Sequence, residues 1–209
     1  MLGKLLGRTL LALGLVACFL PVYADGGSYQ LSVNGGSQLW LDGTSTLHKW
    51  GSRTSTFSLT SGTATMSSAA IPDSAALTTQ IVGAFVLKIP VQSLKDPNEP
   101  ALDGSLWNDL KYKQYPDIVF SLSTCTATPD PSVAGRYEVV AQGKLTIAGK
   151  EVPESIQAIV DVKGDTLKIA GSKDLLMSDF GIAPPTMFFG TIKTGDKVTI
   201  RWDLSLSEK

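Results

Sequence analysis

The residues able to do chemistry are few. The chain has one histidine, His48, set in Thr44-Ser45-Thr46-Leu47-His48-Lys49-Trp50. A hydrolytic reading would pair its imidazole with Ser45 as nucleophile and Asp42 as the group that orients the ring. The Gly-x-Ser-x-Gly turn that exposes such a serine is absent. The alternative is a strand residue hydrogen-bonded near a barrel mouth. Asp96, Glu99, Asp103 and Asp109 fall within fourteen positions and raise a cation site. Their spacing departs from the calcium loop, with its central Gly and twelfth-position Glu. Asp96-Pro97-Asn98-Glu99-Pro100 reads instead as a solvated turn. One His and two Cys cannot supply the four ligands of a structural zinc. No Gly-rich phosphate loop follows a strand and opens a helix. No metal, no cofactor and no catalytic residue is therefore expected.

The charge pattern excludes a further class. Eighteen basic and 19 acidic residues give a net charge of −1. A phosphate-backbone reader would show a basic excess. Trp40, Trp50, Trp107 and Trp202 are scattered without basic interleaving, so no base-stacking platform and no nucleic-acid partner is expected. An apolar fraction of 43% at so small a net charge also argues against disorder.

The first residues read as an export signal. Lys4 and Arg8 precede an apolar run from Leu10 to Leu20, and Val22-Tyr23-Ala24 ends in a small-x-small exit. The run is shorter than the roughly 20 residues of a membrane span. Cleavage is predicted after Ala24, giving residues 1–24 as signal peptide and 25–209 as one domain in the periplasm. The mature 185 residues would hold 16 basic and 19 acidic side chains, a net of −3. Leu15-Val16-Ala17-Cys18 offers a second processing route, in which Cys18 becomes a lipidated N-terminus. Cys125 is expected to be a small buried residue.

The elements that must position these residues are strands. Val198, Ile200, Trp202, Leu204 and Leu206 alternate with Thr199, Arg201, Asp203 and Ser205, which puts one face in a core and one in water. Ile156 to Val162, Tyr137 to Ile147, Ile118 to Leu122 and Gln80 to Val91 repeat the period. Ser37 to Trp50 and Arg53 to Leu59 give two more runs, led by Leu39, Leu41 and Phe57. Val162 to Leu167, centred on Gly164-Asp165, reads as a tight hairpin turn and Ile147 to Val152 offers a similar one, so these strands are antiparallel. Asp103 is placed to cap a short helix with Leu106, Trp107 and Leu110 as its apolar stripe. About eight or nine strands with one short helical segment predict an all-β fold, a closed barrel or a sandwich.

Four segments in order resemble the YceI-like family, exported bacterial domains that bind lipids and polyisoprenoids. They are Leu102-Asp103-Gly104-Ser105-Leu106-Trp107, Tyr115-Pro116-Asp117-Ile118-Val119-Phe120, Gly143-Lys144-Leu145-Thr146-Ile147-Ala148-Gly149 and Ser178-Asp179-Phe180-Gly181-Ile182. The chain departs from the family at Asn34-Gly35-Gly36-Ser37, where only the serine matches. The resemblance implies an antiparallel, eight-stranded, lipocalin-like β-barrel. Its apolar interior would hold an isoprenoid or other long-chain amphiphile. On that basis Phe85, Leu87, Ile89, Phe120, Leu122, Val160 and Ile169 are the expected wall. Met177, Phe180, Met187, Phe188 and Phe189 are expected to cover the opening.

The implied function is a non-catalytic periplasmic carrier. Three alternatives stand beside it. One is a hydrolase acting through His48. Another is a scaffold or stress-linked domain whose barrel is filled by its own side chains. The third is an outer-membrane barrel, which the helical segment and the polar C-terminus fit poorly. The oligomeric state is open between monomer and dimer.

Overall fold

The computed structural model describes residues 31–61, 65–70, 77–163, 166–187 and 189–208, with side chains except at 31, 61, 65–70, 77–85, 187 and 208. The expected leader with Cys18, the Gly164-Asp165 turn and Phe188 lie outside the described residues. The twelve described strands, all paired antiparallel, form one curled sheet. They are β1 (Leu31–Val33), β2 (Gln38–Ser45), β3 (Lys49–Thr54), β4 (Ser58–Ser61), β5 (Thr65–Ala70), β6 (Leu77–Pro90), β7 (Asp117–Pro129), β8 (Arg136–Ile147), β9 (Lys150–Lys163), β10 (Thr166–Leu176), β11 (Thr186–Met187) and β12 (Ile192–Glu208). The sheet runs β3-β2-β12-β10-β9-β8-β7-β6-β4, with β1 and β11 also on β12 and β5 also on β6.

The period of two decides the two faces. On β12, Val198, Leu204 and Leu206 are buried, and on β8 so are Val139, Leu145 and Ile147. Two apolar clusters follow along the inner face. One gathers Cys125, Val139, Val160, Leu167 and Leu206. The other gathers Leu41, Val91, Leu94, Ile147, Phe180 and Ile182. Register shifts on β6, β7 and β12 bend the long strands, which is what a sheet needs in order to curl.

Three expectations are corrected. The sheet has twelve strands rather than eight, and its end strands β3 and β4 are not hydrogen-bonded to each other among the described residues. It is a curled half-barrel rather than a closed one. The outer edge of β3 is instead covered by Lys95, which exchanges two backbone hydrogen bonds with Arg53 (2.9 and 3.0 Å). Ser37 to Trp50 is not one run but the β2–β3 hairpin. Its turn is closed by Ser45, whose Oγ accepts the Leu47 and His48 N–H groups (3.3 and 3.2 Å). Such a hydroxyl turn has no apolar signature to interrupt the alternation.

The helix, α1 (Asp103–Asp109), forms where expected but is not capped by Asp103. Asp103 lies in its first turn and accepts the Asp96 N–H at 2.8 Å, folding the preceding loop onto the helix. Leu110 is buried, and Trp107 Nε1 donates to the Leu94 carbonyl at 2.8 Å, which docks the helix on the sheet end.

At the β8–β9 hairpin Ala148 and Gly149 both have positive φ (50° and 82°), as a two-residue primed turn requires. A Cβ on Gly149 would stand 2.2 Å from the Tyr115 ring. Left-handed backbone costs an L-residue about 1–2 kcal/mol, and the ring contact adds to it. Gly149→Ala is expected to destabilise the fold by about 2 kcal/mol or more, read as a lowered urea midpoint at unchanged slope.

Candidate functional site

The curled sheet and the helical insert enclose a cavity of about 540 Å³. This lies inside the roughly 300–1,000 Å³ range of ligand sites. Its inner part is walled by Val139, Val160, Ile169, Leu204 and Leu206. Leu41, Ile89, Phe120, Leu145 and Ile200 continue the wall toward the insert. The exposed lining residues Leu47, His48, Leu102, Ser105 and Leu176 mark where it opens. One segment of the rim is clamped: Asp196 accepts both the N–H and the O–H of Ser178 (2.9 and 2.6 Å). That fixes the 3₁₀ turn Met177–Phe180, and with it two lining side chains. The same two hydrogen bonds hold the Asp196 carboxyl below its ordinary range.

Of the expected wall, Leu87, Ile89, Phe120, Val160 and Ile169 line the cavity. Leu122 is buried in the neighbouring core cluster, outside the lining. Of the expected cover, Met177 and Phe180 are in the lining. The side chains of Phe85 and Met187, like Phe188, lie outside what is described. Phe189 does not cover the opening. It is fully exposed, at φ 56° in the tip between β11 and β12, whose pairing carries it outward. Sequence reasoning missed Leu39, Leu41, Trp50 and Ser52 as lining, although the alternation of β2 was visible.

Most of the polar lining side chains collect at the opening. Asp96 Oδ1 accepts the Asn98 and Glu99 N–H groups (2.8 and 3.1 Å), which is turn closure. Among the described residues, no three His, Cys, Asp or Glu side chains are grouped to hold a metal. His48 is exposed, with Nδ1 2.8 Å from the Lys49 carbonyl and Nε2 3.8 Å from Glu99. The Ser45 hydroxyl donates to the His48 carbonyl (2.9 Å), and Asp42 is engaged by Arg201 (2.7 Å). The three residues of the hydrolytic reading therefore do not form a relay. Asp109 also lines the opening, and burial raises its carboxyl above the ordinary 3.8.

Comparison with known proteins places these features. The family model described as the YceI-like domain matches residues 37–206. BcnA of Burkholderia cenocepacia shares the fold at 21% identity and a TM-score of 0.58, over 83% of this chain and 99% of that one. A polyisoprenoid-binding domain from Saccharophagus degradans, implicated in plant cell wall breakdown, does so at 12% identity and 0.57, over 87% and 99%. The Campylobacter jejuni YceI protein does so at 18% and 0.50, over 75% and 82%. No curated protein matches the chain.

Two outcomes test the site. Between pH 3.8 and the raised Asp109 value the folded state holds more protons than the unfolded one, so stability falls as pH rises through that window. Asp109→Asn is expected to remove that slope and to raise the melting temperature at neutral pH. Ala141 lines the cavity. In a filled core Ala141→Phe would cost about 1–3 kcal/mol by overpacking. In this hollow one the expected cost in denaturant titration is below about 1 kcal/mol.

Proposed function

This chain belongs to the YceI-like family, and on that premise we propose that it is a non-catalytic carrier that holds an amphiphilic lipid of polyisoprenoid type in its apolar cavity, exported to the periplasm. The observation that carries the reading is the 540 Å³ cavity, walled by strand side chains that are almost all apolar. The wall offers dispersion and water exclusion along its length, and polar contact at the mouth. Each buried methylene contributes about 0.8 kcal/mol, so ten contribute about 8 kcal/mol. Association costs about 4–15 kcal/mol. Stable retention therefore calls for a chain longer than about ten carbons, which is a lipid rather than a small metabolite.

The absence of catalysis is supported by the engagement of Ser45 and Asp42 away from the His48 ring. Export is supported by the Lys4–Ala24 leader pattern. Cleavage after Ala24 gives a free carrier, whereas acylation at Cys18 gives a tethered one. A barrel filled by its own side chains is disfavoured by the cavity. The polyisoprenoid-binding domain of Saccharophagus degradans lends the ligand class.

Native mass spectrometry of gently purified protein tests the reading. A co-purified amphiphile in the hundreds of daltons is expected, bound one to one and released by organic solvent, on a protein shortened by 24 residues. Repeated recovery of ligand-free protein, before any solvent treatment and after exposure to a lipid extract, would sink it.

A further inference from the structure

One polar group in the cavity wall is left without a partner. Ser52 is the inward residue of β3 that pairs with Leu41 of β2, itself paired with Ile200 of β12. It lines the cavity and is 4% exposed. Its Oγ is the one buried side-chain polar atom, among the described residues, with no hydrogen-bond partner. The contrast with its neighbours is sharp. Thr54, two positions along on the same face, donates to Ser93 Oγ (2.7 Å) and accepts the Thr56 N–H (2.9 Å). Ser37 donates to the Asn34 carbonyl (2.9 Å) and accepts the Ser205 N–H (2.9 Å). Buried hydroxyls are normally satisfied, and an unsatisfied one costs stability unless something occupies it. An apolar site with a few placed polar groups uses such groups to orient its ligand.

The charges around the cavity restrict what that ligand can carry. Asp96, Glu99 and Asp109 at the opening repel an anionic head. Lys173 is the one Lys or Arg in the described lining, in the same cross-strand row as Ser52, Leu41 and Ile200. Its ammonium is already held by Glu154 (2.8 Å) and the Ser155 carbonyl (3.1 Å). A phosphorylated head therefore meets carboxylates and a neutralised lysine. A hydroxyl or carbonyl meets Ser52, which can both donate and accept.

We infer that Ser52 is the specificity contact of the cavity, selecting amphiphiles whose apolar chain bears a neutral oxygen function, an alcohol or a carbonyl. This rests on the carrier reading above and goes beyond it in naming the head group and the side chain that reads it.

Binding of three C15 prenyl probes separates the two claims: the alcohol farnesol, the hydrocarbon farnesene and farnesyl diphosphate, each measured directly by isothermal titration calorimetry on the full chain. The wild type is expected to prefer farnesol to both others. Ser52→Ala is expected to weaken farnesol binding by about 2- to 10-fold, the worth of one neutral hydrogen bond. It should leave farnesene binding unchanged and the ligand-free melting temperature equal or higher, since an unpaired hydroxyl has gone. Ser52→Thr, which keeps the hydroxyl, should keep the preference. Ser52→Cys, which keeps the volume, should lose it. Equal binding of all three probes by the wild type, a preference for the diphosphate, or full farnesol affinity in both Ser52→Ala and Ser52→Cys overturns the Ser52 assignment while leaving the carrier standing. Binding of none of the three overturns the carrier itself.

Discussion

An antiparallel ladder places directly opposed residues on the same face. Every strand that joins this sheet therefore adds its alternate side chains to one shared inner surface. Ser52, Leu41, Ile200 and Lys173 form one such row across β3, β2, β12 and β10. A one-residue slip anywhere in the row would turn the apolar set outward and the charged set inward. The register is pinned at several places. Asn34 donates its backbone N–H to Ser205 (2.7 Å), Ser37 bonds on both sides of the same turn, and the Ala148-Gly149 turn sets β8 against β9.

Among the described residues the two ends of the sheet, β3 and β4, are not hydrogen-bonded to each other, and the opening is managed rather than left raw. Lys95 pairs with Arg53 along the edge of β3, and α1 packs over the end of the sheet through Trp107 and Leu110. The same insert brings Asp96, Glu99, Leu102, Asp103 and Asp109 to the cavity opening. Closing the end of the sheet and dressing the mouth of the cavity are thus done by a single segment. Two of the carboxylates that resembled a cation site by their proximity, Asp96 and Asp103, are used as turn and loop fasteners, because they accept backbone N–H groups of their own segment.

Lys173 and Glu154 show how charge is tolerated on an inward face. The β9–β10 pairing stops at Gly171 and Ala158, so the strands part beyond that point. The ion pair bridges them there, partly buried, with the Ser155 carbonyl as a third partner. Its consequence is chemical: the lining keeps almost no net positive charge for a phosphate to find.

Fold class, most strand positions, the helical segment and much of the wall can be read along the chain alone. Those rest on a local property, the alternation of apolar and polar side chains, which can be read along the chain without knowing what lies opposite. Leu87, Ile89, Phe120, Val160 and Ile169 were legible for that reason. Tertiary structure alone decided the rest. The strand count and the open edge depend on turns built from hydroxyl and backbone bonds, as at Ser45, which leave the alternation undisturbed. The outward placement of Phe189 depends on a left-handed turn. Whether the inner face is filled or hollow depends on the curl of the whole sheet, and so does whether the hydroxyl of Ser52 meets another protein atom. Both are sums over residues far apart in sequence, and no local pattern contains them.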